Sequence, residues 1–182
     1  APTSVLQPLV GPLLWAALVR TVAELIRATL CSPRRDVVDS THTRGRRAWL
    51  AAQMWAVLAL LIVPLESADS AGLTFEQAVV DLPTYISSTP SVAAWLVVAV
   101  LGLLVGLLAL LSTHLGGLVM ASFVTVLAAL PVPVTGGISV GLNHDFATDS
   151  GAMAAVGLAM AAAARLSASL DGARPAGRAR VR

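Results

Sequence analysis

Between positions 82 and 144 this chain has no aspartate, glutamate, lysine or arginine. A soluble domain cannot present such a stretch to water, because exposed faces need charge to stay solvated. Lysine is missing altogether, and all twelve basic residues are arginines. Charged residues make up 12% of the chain, about half of the roughly 25% usual in soluble proteins. A single cysteine, Cys31, excludes an internal disulfide and any CxxC or Cys/His zinc cluster. Phosphate loops, Ser/His/Asp spacings, paired carboxylates and dinucleotide fingerprints are also missing. An enzyme is therefore not expected, nor is a nucleic-acid partner. The first apolar run lacks a basic n-region and a cleavage site, so it does not read as a signal peptide.

What the chain has instead is apolar length. A crossing of the bilayer core needs about 20 apolar residues. Five segments are read as spans, at about 5–30, 48–65, 91–111, 115–131 and 150–170. The expected fold is all-α, a polytopic bundle occupying residues 1–170, with a disordered basic tail over 171–182 rich in Gly, Ala, Arg and Pro. Pro8 and Pro12 disturb the start of the first span, and a four-span arrangement with that segment lying in the interface is the alternative. The last span is Ala-rich and needs neighbours to hold it.

Charge distribution supplies an orientation. Arg34, Arg35, Arg44, Arg46 and Arg47 fill the 31–47 segment, and Arg165, Arg174, Arg178, Arg180 and Arg182 gather at the end. The 66–90 loop has Glu66, Asp69, Glu76 and Asp81 and no arginine, and the 131–149 loop has only Asp145 and Asp149. Five spans put both basic segments on one side, so the positive-inside rule predicts an outside N-terminus and a cytoplasmic C-terminus in the plasma membrane. Within the 66–90 loop, residues 73–80 read as a short helix capped by Thr74.

Few residues could carry chemistry. Arg20, Glu24 and Arg27 share a helix face, either as an ion-paired helix end snorkelling to the interface or as a buried contact to another subunit. Asn143-His144-Asp145, with Asp149 four residues on, is read either as a helix cap or as a metal-capture site at the outer mouth. A neutral imidazole suits copper, and a carboxylate can orient it. Met153 and Met160 lie on one face, where thioethers are soft ligands or gap-filling side chains. Met54 and Met120 are read as gap fillers. His42 and His114 are read as solvated, and Cys31 as buried and inert. Gly102 and Gly106 form a small-xxx-small pair, read as a helix-packing site.

The order of features from about 46 to 150 resembles the membrane region of CopD-type copper-resistance proteins. The likeness is to the N-terminal membrane part of the actinobacterial form joined to a CtaG-like cytochrome c oxidase assembly region. It rests on Arg47-Ala48-Trp49 through Trp55 and Leu61, on Ser67-Ala68-Asp69, on Tyr85-Ile86-Ser87-Ser88-Thr89-Pro90, and above all on Asn143-His144-Asp145-Phe146-Ala147-Thr148-Asp149-Ser150. The sequence departs from the family at Gly136-Gly137-Ile138, where a Gly-His is usual, and over 151–164, which has neither His nor Trp. The resemblance implies a copper-handling membrane protein, one that transports or delivers copper across the plasma membrane. The residues read as ligands for copper ion are His144, Asp145 and Met153, the last joining only if the 143–149 segment folds back over it. The partners it implies are lipid, further membrane segments or a cytochrome c oxidase assembly factor. The alternative is a non-catalytic membrane subunit or anchor within a larger complex.

Overall fold

A computed structural model describes residues 3–30, 37–112, 114–131 and 144–172. Every regular element among the described residues is helical. They are α1 (Thr3–Leu30), α2 (Val37–Ala71), α3 (Phe75–Val80), α4 (Leu82–Ser88), α5 (Pro90–Leu111), α6 (Leu115–Ala128) and α7 (His144–Gly172).

Several boundaries differ from the sequence expectation. α1 is helical from Thr3, through both Pro8 and Pro12. α2 begins at Val37, so Arg44, Arg46 and Arg47 lie on helix rather than in a loop. Between Pro33 and Gly45 nothing breaks a helix. α2 also runs past Pro64 to Ala71. Proline removes the donor to Leu60's carbonyl, but the apolar helix on either side continues. The Ser67 hydroxyl, buried one turn on, donates to the Val63 carbonyl at 2.8 Å. α7 begins six residues early, at His144, with Asp145 and Asp149 near its start, where carboxylates favour the positive end of the helix dipole.

The 66–90 loop is built rather than open. Gly72 adopts φ 65° and ends α2. There the N–H of Leu73 reaches the Ala68 carbonyl at 2.9 Å and that of Gly72 reaches Asp69 at 3.4 Å, the two bonds of a Schellman close. Thr74 then caps α3 in a capping box with Gln77.

Among the described residues, three helices are long and apolar enough to cross a membrane, over Leu9–Thr29, Gly45–Ala71 and Pro90–Leu111. Gly116–Ala128 and Met153–Ser169 are shorter apolar helices. α6 has 14 residues, about 21 Å of rise against a hydrocarbon core of about 30 Å. The protein is thus a membrane-embedded helical bundle.

Its core has two layers. Leu14, Leu18, Trp55, Ile62 and Val98 dominate one, with Ala128, Ala159 and Ala163 beside them. Leu25, Ala48, Val105 and Leu118 dominate the other, towards the C-terminal end of α1. α2 packs most closely on α5 and α1, α6 joins α5 and α1, and α7 rests chiefly on α1. The buried hydroxyls of Thr21 and Thr125 donate within their own helices, to the Ala17 carbonyl at 2.8 Å and the Ala121 carbonyl at 2.7 Å.

Candidate functional site

The most unusual chemistry in this apolar interior is ionic. Glu24 is only 1% exposed, between an arginine one turn before it and another one turn after it. Arg27 Nη1 donates to Glu24 Oε2 at 3.2 Å and is itself buried. Arg20 Nη2 lies 2.8 Å from Glu24 Oε1, close enough for charge pairing. It sits off the hydrogen-bond direction, so Oε1 has no hydrogen-bond donor among the described residues. Val22 and Ala23 belong to the first core layer, and Leu25 and Ala28 to the second. Glu24 therefore sits where the two layers meet, in the C-terminal part of the Leu9–Thr29 stretch.

This placement corrects the snorkelling reading for two of the three residues. An arginine snorkels by keeping its head in water or headgroups, and Arg27 is instead enclosed by protein. Only the Arg20 side chain, at 45% exposed, opens outward. Its position is the middle of the Leu9–Thr29 apolar stretch, and at 1.5 Å per residue about 12–15 Å of helix separates it from the Ala28–Leu30 end. The contact is also formed within this chain.

A second buried polar atom accompanies the carboxylate. The indole nitrogen of Trp55, in the middle of α2, has no acceptor among the described residues. Its ring fills the first core layer and lies 3.4 Å from where a Cβ on Gly102 would stand. Nothing in the sequence marks this indole as unpartnered, since any tryptophan in a span could reach a carbonyl.

The copper candidates fall elsewhere. His144 and Asp145 open α7, and their side chains lie outside the described residues. Met153 stands 75% exposed on the same helix. α7 is continuous, so Met153 lies nine residues along it, about 13 Å in rise and half a turn around from His144. One ion does not bridge two such positions. Met54, Met120 and Met160 are exposed too, so none of them fills a gap in the core. His114 is exposed ahead of α6, without a side-chain cap bond. Cys31 lies outside the described residues, as does the side chain of His42. Among the described residues no three His, Cys, Asp or Glu side chains gather as a metal site.

Gly102 and Gly106 are buried where α5 meets α2. A Cβ on Gly102 would lie 3.1 Å from the Ala56 Cβ, and one on Gly106 would run into the Gln53 amide and lie 3.3 Å from Trp49. Gly45 continues the seam, because a Cβ there would lie 2.5 Å from the Ala109 carbonyl oxygen.

No family model, curated protein or solved structure matches this chain.

Proposed function

We propose that this chain handles copper at the plasma membrane, capturing the ion at the outer surface and passing it towards the cytoplasm, as its resemblance to CopD-type membrane regions implies. The observation that carries this reading is the segment Asn143-His144-Asp145, set at the head of an apolar helix and free of arginine. Copper here is cargo. A site holding it in transit needs only a few ligands, and an imidazole beside a carboxylate offers two.

The proposed topology has five crossings. α1 and α2 are joined on the arginine side, α2 and α5 through α3 and α4 on the acidic side, and α6 and α7 across the segment that contains Gly136 and Gly137. Exposed Arg46 and Arg47 then face the cytoplasm, and exposed Asp69, Glu76 and Asp81 face outward. His144 accordingly stands at the outer mouth.

Copper binding is expected to be weak, because tight binding wants several N or S donors in fixed geometry. Titration of the purified chain with Cu(I) and with Cu(II), beside His144→Ala, tests the reading. Weak binding that disappears in the variant supports it. Equal binding by both proteins removes His144 from the mechanism.

A further inference from the structure

Gln53 is a polar side chain set on the lipid side of an apolar helix. It stands within the Gly45–Ala71 stretch of α2, about 12 Å of rise beyond Gly45. The buried face of α2 there is formed by Ala52, Trp55, Ala56 and Ala59. Gln53 points away from that face. At about 100° per residue it falls within about 40° of Val57 and Leu60, which are 52% and 43% exposed. Its amide leans across the seam onto Gly106 of α5, is only partly buried, and among the described residues makes no hydrogen bond. A primary amide has two N–H donors and an acceptor oxygen. Hydrocarbon answers neither, so such a group in the bilayer core is satisfied by protein.

The surface around the amide is apolar and open. Leu103 and Leu110 stand about one turn before and one turn after Gly106 on α5, and both are exposed. With Val57 and Leu60 they rim the α2–α5 seam on the side where Gln53 emerges. α7 does not cover it, since it rests chiefly on α1.

We propose that this α2–α5 face is the interface of a parallel homodimer, closed by two Gln53 amides that hydrogen-bond to each other across the twofold axis. Self-complementarity selects a second copy as the occupant. An amide matches another amide, donor to acceptor and acceptor to donor. Both copies enter the membrane in one orientation, so a twofold along the membrane normal sets each residue at the depth of its counterpart. Arg46 and Arg47, exposed on the same helix, do not oppose this pairing. They lie about 9–10 Å nearer the end of the apolar stretch, where water and headgroups screen like charges. The proposal is independent of copper handling.

The test uses the full chain, labelled at its amino terminus with donor or acceptor dye and reconstituted in phosphatidylcholine vesicles. Energy transfer is followed as lipid dilutes the protein. The wild-type chain should associate in pairs. Gln53→Met, which keeps the length of the side chain and removes the amide, should weaken association about tenfold, the scale of an interhelical polar contact. A second measurement locates the contact. In a Cys31→Ser background, a cysteine at Val57 should crosslink two copies through a short bismaleimide, and one at the exposed Leu158 of α7 should not. A wild-type chain that stays monomeric at every dilution overturns the proposal, in favour of lipid or a different polypeptide on this face. Equal association of wild type and Gln53→Met overturns it too, as does crosslinking at Leu158 in preference to Val57.

Discussion

A carboxylate 1% exposed in an apolar bundle is tolerable only while its charge is answered. For Glu24 the answer comes from its own helix, at 2.8 Å and 3.2 Å. Breaking a buried pair by removing one partner costs roughly 3–5 kcal/mol, because the other charge stays buried. Glu24→Gln is therefore expected to destabilise the bundle by about that amount. Unfolding in detergent, run as a cycle that includes Glu24→Gln with Arg27→Gln, checks this. A double variant no more stable than the single Glu24→Gln would show that the Arg27 charge is not what the loss exposes. The spacing of 20, 24 and 27 on one face is legible in the sequence, but the burial is not. The same face of α1 is open at Leu9, Leu13 and Ala16 and closed at Ala23, Glu24 and Arg27. That change midway along one helix depends on how the neighbours cross it, which no periodicity within α1 records.

Between elements, the seam of α2 against α5 decides how close two backbones come. Alanine is the better helix former by about 1 kcal/mol over glycine, so Gly→Ala in a helix should stabilise wherever there is room. Gly116 has room, with nothing within 4 Å of its Cβ position, and Gly116→Ala is expected to stabilise by up to about 1 kcal/mol. At Gly45 the added carbon would lie 2.5 Å from the Ala109 carbonyl oxygen, which belongs to backbone and cannot swing aside. Gly45→Ala should therefore destabilise. Thermal unfolding of the two variants side by side gives opposite signs, and two shifts upward would mean that α2 and α5 are not this close at Gly45. The Gly102 and Gly106 pair can be read from its spacing alone. Gly45 cannot, because a segment dense in arginine reads as a loop until the helix is seen to begin at Val37. The capped α3 is legible for the opposite reason: Thr74, Glu76 and Gln77 state a helix start locally, and the chain folds it locally.

For the whole molecule, parity decides what a topology experiment can say. If the N-terminus is outside, as proposed, and α1, α2 and α5 each cross, they leave the chain on the cytoplasmic side. If α6 and α7 both cross, the C-terminus returns there, and if neither crosses it never leaves. A reporter after Arg182 is expected to be cytoplasmic in either case, and one in the exposed turn at Gly72 is expected outside in either case. The discriminating position is the segment between α6 and α7. Five crossings place it outside, and three place it in the cytoplasm. α6 is about 21 Å long against about 30 Å of hydrocarbon, so its crossing needs the apolar residues Ala129, Leu130 and Pro131 and some local thinning of the bilayer. Charge favours the crossing, because arginine is missing from the segment and present at Arg165 on the far part of α7. A cysteine placed at Gly136, in a Cys31→Ser background, should react with a membrane-impermeant maleimide added to intact cells. The same label should fail to reach a cysteine at Ala176. Protection of position 136 until the cells are opened would leave three crossings, and would move His144 from an outer mouth to the inner face, where capture from outside has no meaning.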